Sequence, residues 1–173
     1  TDKGMKRIAA LVPQGVYGQR ASVALTQSAQ QHGASIVSLT TFQRSPAALP
    51  AAARKVTDYD ARVKQAAGGE VPPVAFDSLL VADSGAIANA FAPHLTKFGA
   101  PVGGFLLMGT ELWNTEPGLS KAPALNGAVF AAVPDARFAS MAKRYSARFG
   151  GTPSRLASLS YDAMLLAVSV AGT

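Results

Sequence analysis

The order of apolar stretches along the chain constrains its fold more than any other feature. Short unbroken apolar runs, typical of strands buried on both faces, alternate with longer stretches that have helical spacing. The strand-like runs are 8–12, 36–39, 78–82, 105–108 and 128–133. The helical stretches are 18–32, 46–67, 87–98 and 138–149, followed by a last helix from 156 towards the end. Pro50 indicates that the helix within 46–67 starts near Ala51. This alternation predicts parallel strands joined by crossover helices.

The expected fold class is therefore α/β, an open doubly wound parallel sheet of about five strands with helices on both faces. The chain has 173 residues, of which 49% are hydrophobic, enough for one well-packed core. We expect residues 1–173 to form a single lobe. Gly33, Gly99 and Gly150 are placed to end helices, and Pro93 predicts a kink in the helix that contains it.

Composition and charge exclude several partners. The net charge is +6, but the basic residues are scattered and no aromatic residues alternate with them, so we expect no nucleic acid partner. The absence of cysteine excludes a disulfide framework and a thiolate zinc site. No apolar run reaches the roughly 18 residues that cross a bilayer, and the chain contains no signal peptide. We expect membrane contact only through a lipid anchor outside this chain.

Catalytic motifs are also missing from the sequence. The turn at 13–18 has two of the three glycines of a dinucleotide-binding loop, and no phosphate-binding loop with a Gly-Lys-Ser/Thr motif occurs. Ser84 is not flanked as a hydrolase nucleophile, and His32 and His94 fall in or at the ends of predicted helices. We therefore expect no catalytic residues, no metal and no cofactor, and a protein that is not an enzyme.

Polar and aromatic residues cluster where the predicted strands end, which is where doubly wound sheets bind ligands. The candidate ligand-binding residues are Tyr17, Thr41, Asp83, Ser84, Thr110, Glu111 and Trp113. Aromatic walls, hydroxyls and carboxylates suit recognition without reaction. Two alternatives stay open: Asp83 caps the following helix, and Tyr17 and Trp113 are half-buried aromatic residues that support loops.

Four segments carry a resemblance to a known family. They are 7–12 with 17–19, 76–83, 107–111, and the closing stretch from 145–150 through Pro153 to 160–163. Together they resemble the second lobe of type I periplasmic binding proteins of the leucine/isoleucine/valine-binding kind. This Rossmann-like lobe implies a solute-binding protein of an ABC transporter for amino acid transport, which closes over its ligand by hinge motion between two lobes.

The resemblance also implies roles for particular residues. Tyr17 would wall the cleft and Glu111 would pair with the ligand ammonium, so the expected ligand is a small polar molecule such as an amino acid or amide. The first lobe of the same protein, which is missing from this chain, would be a partner. Residues 153–173 would be the helix that returns towards that lobe.

A second branch of the family gives a different implication. Residues 109–114 and 157–163 look closest to the penicillin-binding protein activators, which are lipoproteins. That likeness implies a regulator of peptidoglycan synthesis whose partner is a cell-wall synthase. Both branches imply a periplasmic location or attachment to the outer membrane.

Overall fold

The computed structural model describes residues 4–116, 118–132, 135–155 and 157–171. Two compact units divide the chain, residues 1–130 and residues 131–173. The expectation of one lobe over residues 1–173 stays a prediction.

The first unit is a five-stranded, fully parallel sheet with the strand order β2-β1-β3-β4-β5. Its elements are β1 (Arg7–Pro13), α1 (Val16–Gln31), β2 (Ser35–Phe42), α2 (Leu49–Val56), α3 (Tyr59–Ala66), β3 (Ser78–Val81), α4 (Gly85–Lys97), β4 (Leu106–Gly109) and β5 (Val129–Phe130). Three short 3-10 turns, Glu111–Thr115, Leu119–Lys121 and Pro123–Leu125, connect β4 to β5. This topology confirms the α/β fold class and the number of strands.

Helices cover both faces of this sheet, as the continuous apolar character of its strands requires. On one face, Leu11 and Leu79 are fully buried in the same cluster as Val56 of α2 and Phe91 of α4. On the other face, side chains of α1 pack over Ala10, Val12 and Ala82. Successive residues of β1 thus enter opposite cores, because side chains alternate along a strand.

The predicted single helix at 46–67 is wrong, because the chain forms two helices that are interrupted at Thr57 and Asp58. Asp58 takes a left-handed conformation with φ of 50°, which a continuing helix does not allow. The Thr57 hydroxyl donates to the carbonyls of Ala53 and Arg54, at 2.9 and 3.1 Å, and so closes the first helix.

A buried arginine stabilises this break. Arg62 is 7% exposed, and its guanidinium donates four hydrogen bonds of 2.8 to 3.2 Å to backbone carbonyls. The acceptors are the carbonyls of Thr57, Pro72, Phe98 and Gly99. Burial lowers the pKa of Arg62 from its ordinary value, while the nearby carboxylate of Asp58 opposes that change. One side chain therefore ties the α2–α3 turn to the end of α4 and to the loop before β3.

The predicted fifth strand at 128–133 is also wrong in its length. Only Val129 and Phe130 pair with β4, opposite Met108 and Gly109. Because β4 itself ends at Gly109 and the chain enters a 3-10 turn at Glu111, it offers no further backbone groups for pairing. Ala131 and Ala132 are not in a strand, and Val133 lies outside the described residues.

The amino-terminal ends of β1 and β3 are joined by Asp77. Its carboxylate accepts hydrogen bonds from the Arg7 guanidinium at 2.6 and 3.1 Å and from the backbone amides of Lys6 and Arg7 at 3.2 and 3.1 Å. These bonds, chiefly that with the Arg7 side chain, lower the pKa of Asp77 to about 2. The pair therefore holds its charge well into the acidic range.

The second unit contains two helices, α5 (Asp135–Phe149) and α6 (Ala157–Ala171), which confirms the last two predicted helices. Leu156, where the last helix was expected to begin, lies outside the described residues. The Arg144 guanidinium of α5 lies over the Tyr161 ring of α6 at 5.6 Å. Apolar side chains of α6 stay largely exposed, with Met164 and Val170 each 65% accessible.

In the described part of the chain, none of the helices combines the length and the hydropathy needed to span a membrane.

We predict that Arg62→Lys lowers the free energy of unfolding by about 2–4 kcal/mol, because a lysine cannot reach the four carbonyls and leaves buried acceptors unpaired. Urea denaturation followed by circular dichroism measures this change. Arg54→Lys is the control, since Arg54 pairs with Asp60 at the surface, and its effect should be much smaller. Equal effects of the two substitutions would contradict the structural role of Arg62.

We predict that Asp77→Asn destabilises the protein at neutral pH and that this loss shrinks as the pH falls. The pKa of Asp77 is about 2 in the folded protein, against an ordinary value of 3.8. Its contribution to stability is therefore fully present above about 4 and is lost as the pH falls towards 2. Thermal melts of both proteins across this range measure the difference. A difference that is constant down to pH 2 would contradict the pairing with Arg7.

Candidate functional site

The carboxyl ends of β1 to β4 meet at one edge of the parallel sheet. Tyr17 in the first turn of α1 lies there, together with Arg44, Asp83 and Thr110 in the segments that follow β2, β3 and β4. Side chains separated by up to 93 residues in sequence form hydrogen bonds there. This edge is the candidate ligand site.

Asp83 joins three of these turns. Its side chain is 5% exposed, and its carboxylate accepts from the Arg44 Nε at 2.7 Å and from the Ser84 amide at 2.8 Å. Its backbone carbonyl accepts from the Trp113 indole nitrogen at 2.9 Å. A buried carboxylate is expected to have such partners, because an unpaired buried charge is costly. Both oxygens of Asp83 are thus engaged within the protein.

Sequence reasoning missed Arg44. It lies two residues after the end of β2, and its partner Asp83 is 39 residues further along the chain. Only its position in the sequence could have indicated it, because Arg44 is a charged residue just past a strand, at the edge where Asp83 was expected. The residue after β2 that takes part in the hydrogen bonds at this edge is therefore Arg44, whereas the predicted residue was Thr41. Thr41 lies beside Val12 in the sheet, is exposed, and makes no hydrogen bond through its hydroxyl to any described residue.

Tyr17 and Thr110 link the ends of β1 and β4. The Tyr17 hydroxyl donates to the Thr110 Oγ1 at 3.0 Å, and both side chains are partly buried. Burial raises the pKa of Tyr17 from its ordinary value, and the negative charges of Glu111 and Asp83 raise it further. The bond to Thr110 and the positive charge of Arg44 act in the opposite direction. Tyr17 is therefore a neutral hydrogen-bonding group that lies within the fields of Arg44, Asp83 and Glu111.

Ser84 immediately precedes α4, and the first amides of this helix find acceptors within the protein. The Ser84 Oγ accepts from the Ile87 amide at 3.3 Å, which makes Ser84 the N-cap residue. The Glu116 carboxylate accepts from the amides of Gly85 and Ala86, at 2.7 and 2.8 Å. The hypothesis that Asp83 caps this helix is met by one hydrogen bond, in which the Asp83 carboxylate accepts from the Ser84 amide. Sequence reasoning missed Glu116, whose role depends on a turn 31 residues away.

Trp113 lies beneath this edge. It is 1% exposed, and its ring packs so closely on Gly109 that a β-carbon there would come within 2.2 Å of the indole. The Phe130 ring is 6.1 Å away, and a pocket of about 420 Å³ opens beside these two aromatic side chains. The alternative of a loop-supporting aromatic residue therefore describes Trp113 in this structure. Its role as a ligand contact stays a prediction.

The remaining predicted residues keep groups available for a ligand. Glu111 is exposed, and its carboxylate accepts no hydrogen bond from the described residues. The oxygens of Ser84 and Thr110 act as acceptors, so their hydroxyl protons are free to be donated. Among the described residues, no group of three or more histidine, aspartate or glutamate side chains could hold a metal ion.

Comparisons with known proteins agree on the fold. No protein-family model matches the sequence, and no curated protein sequence matches it. Among solved structures, a putative branched-chain amino acid ABC transporter protein from Rhodospirillum rubrum is similar, with a TM-score of 0.62, 16% identity, and coverage of 94% of this chain and 43% of that chain. An ABC transporter substrate-binding protein from Desulfitobacterium hafniense in complex with leucine has a TM-score of 0.53 and 20% identity, covering 95% of this chain and 44% of that chain.

A third similar structure is a solute-binding protein of an ABC transporter from Rhodopseudomonas palustris BisB5, in complex with 3,4-dihydroxybenzoic acid. It has a TM-score of 0.54 and 20% identity, covering 96% of this chain and 43% of that chain. This chain thus spans less than half the length of each of the three structures. These proteins are type I periplasmic binding proteins, and the five-stranded parallel sheet of the present chain, with its flanking helices, matches the fold of their lobes.

We predict that substitutions at this edge move the pKa of Tyr17 in opposite directions. Glu111→Gln removes a negative charge and lowers the pKa of Tyr17, whereas Arg44→Gln removes a positive charge and raises it. Titration of ring-labelled tyrosine by ¹³C NMR, assigned with Tyr17→Phe, measures both shifts. Glu70→Gln in the exposed loop before β3 is the control and should leave the pKa unchanged. Identical titration of all variants would contradict the proximity of these charges.

Proposed function

We propose that this chain is a lobe of a non-catalytic solute-binding protein of the ABC-transporter type, which binds a small polar ligand such as an amino acid or amide. The observation that carries the proposal is the hydrogen-bonded edge at the ends of β1, β2, β3 and β4. There, Tyr17 binds Thr110 and Arg44 binds Asp83. Glu111 next to them presents an exposed carboxylate. Such an arrangement suits recognition, because it has an aromatic wall, free hydroxyl protons and opposite charges.

Each side chain has a separate part in this proposal. Tyr17 forms the wall of the site, and Thr110 and Ser84 donate hydrogen bonds to the ligand. Glu111 pairs with a ligand ammonium group. Asp83 acts indirectly, since both of its carboxylate oxygens already accept hydrogen bonds from Arg44 and Ser84. Thr41 contacts the ligand only if the ligand extends over the face of β2 that α1 covers. Trp113 contacts the ligand only if the segment after β4 moves.

Similar solved structures support a small organic ligand. One contains leucine and another contains 3,4-dihydroxybenzoic acid. By analogy with such two-lobe proteins, the ligand would be enclosed by hinge motion against a first lobe outside this chain, with residues 153–173 returning towards that lobe. The corresponding location is the periplasm, or the outer membrane through a lipid anchor.

A protein partner is the second candidate function, and one observation favours it. The α6 side chains Leu159, Met164, Leu166, Val168 and Val170 are each at least 61% exposed. Exposed apolar surface of this extent is typical of interaction sites. In this alternative the chain acts like a penicillin-binding protein activator and contacts a cell-wall synthase.

The first test is a titration of Trp113 fluorescence with amino acids and their amides. Trp113 is the only tryptophan, and its indole donates to the carbonyl of Asp83, so its emission reports on the site. The ligands are added to millimolar concentrations, because one lobe supplies only part of the contacts. We expect a saturable change, and Glu111→Gln should weaken the binding of ligands with an ammonium group by roughly 10-fold or more.

Glu70→Gln is the matched control, since Glu70 is also exposed but lies in the loop before β3, at the opposite edge of the sheet. It should bind like the wild type. A flat response across the panel from protein that is folded by circular dichroism would contradict solute binding and favour the partner hypothesis. Equal weakening by both substitutions would contradict the role of Glu111.

A further inference from the structure

Arg44 differs from an ordinary surface arginine in the burial of its partner. The Arg44 side chain is 52% exposed, while the Asp83 side chain that accepts from it is 5% exposed. The Arg7–Asp77 and Arg54–Asp60 pairs have acidic partners that are 27% and 69% exposed. The Arg44 side chain is thus fixed at its inner end by a buried carboxylate and reaches solvent at its outer end.

The hydrogen bonds of Arg44 leave the outer edge of its guanidinium free. Arg44 donates to Asp83 through Nε, and neither terminal nitrogen donates to any described residue. Arg7 and Arg54 instead use Nε together with a terminal nitrogen on one carboxylate, and Arg62 uses all three nitrogens. The two terminal nitrogens are a pair of donors whose geometry matches a carboxylate.

Asp83 does not engage these two terminal donors. One of its oxygens accepts from the Arg44 Nε, and the other accepts from the Ser84 amide. Its carboxylate therefore orients the guanidinium and balances its charge, while the terminal nitrogens remain available. An arginine held in this way loses less conformational freedom when it binds a ligand.

Arg44 lies at the same edge of the sheet as the other proposed ligand groups, because it follows β2 and bonds to Asp83 after β3. The positive charge of Arg44 and the negative charge of Glu111 both act on the Tyr17 hydroxyl, which is itself bonded to Thr110. One aromatic side chain therefore has a cationic and an anionic neighbour. These two charges match the carboxylate and the ammonium of a zwitterion.

We propose that Arg44 is the carboxylate receptor of this site, binding a ligand carboxylate through its two free terminal nitrogens while Glu111 pairs with an ammonium group. This inference rests on the proposed solute-binding function and narrows its ligand class. The site selects molecules that carry a carboxylate, α-amino acids above all, over the corresponding neutral-ended amides. Asp83 is the residue that positions Arg44.

Three probes with one carbon skeleton test this inference: leucine, leucinamide and 4-methylpentanoate. Leucine carries both charged groups, leucinamide lacks the carboxylate, and 4-methylpentanoate lacks the ammonium. Isothermal titration calorimetry of the wild type and Arg44→Gln gives the affinities. We expect Arg44→Gln to weaken leucine and 4-methylpentanoate by about 10- to 100-fold, and leucinamide by less than about threefold, because charge-assisted hydrogen bonds are lost only with the carboxylates.

Two further variants separate the recognition of the carboxylate from folding and from general charge effects. Arg54→Gln removes an arginine that is 53% exposed and paired with an aspartate, and should leave all three affinities unchanged. Arg44→Lys retains a positive charge beside Asp83 but lacks the forked donors, and should lose most of the preference for carboxylates while the protein stays folded.

The possible outcomes distinguish this inference from the proposed function. If the wild type binds the probes but Arg44→Gln weakens all three equally, or weakens none, the role of Arg44 is contradicted and solute binding stands. If folded wild type binds none of the probes, or leucinamide alone, carboxylate recognition fails. Binding of leucinamide alone would keep solute binding, whereas binding of none would contradict both.

Discussion

Asp83 is the residue on which the arrangement of the site depends. It lies two residues after β3, the central strand of the sheet, and a buried carboxylate at that position must be neutralised or hydrogen bonded. Arg44 and the Ser84 amide satisfy the side chain, and the Trp113 indole satisfies the backbone carbonyl. The turns after β2, β3 and β4 are therefore held together through one residue.

The segment after β4 is fixed by two contacts of different kinds. Trp113 fills the space over Gly109 and donates to Asp83, and Glu116 binds the first free amides of α4. Because the α4 amino terminus is satisfied from within, it does not attract an external anion as an open helix terminus would. Arg44 keeps its two terminal nitrogens available to a ligand at this edge. Trp113 and Glu116 thus fix the segment after β4, while Arg44 keeps donors available for recognition of a ligand.

Much of this architecture follows from the sequence. Continuous apolar runs predicted the five strands, and the residues expected at their carboxyl ends do lie at one edge, with Tyr17 bonded to Thr110. Features that depend on distant partners could not be predicted. The break at Thr57 depends on Arg62, which bonds to carbonyls up to 37 residues away, and the shortness of β5 depends on where β4 ends. Arg44 and Glu116 escaped notice because nothing in their local sequence identifies the groups that they bind.

The most direct test of this account is to map the binding site on the backbone by ¹⁵N NMR during a titration with leucine. We predict that the amide shifts concentrate at Tyr17, Arg44, Ser84, Thr110 and Glu111, at the carboxyl ends of the strands. Shifts concentrated at Asn126 and Gly127, beside the pocket next to Trp113, or at Asp77 on the opposite edge, would contradict it.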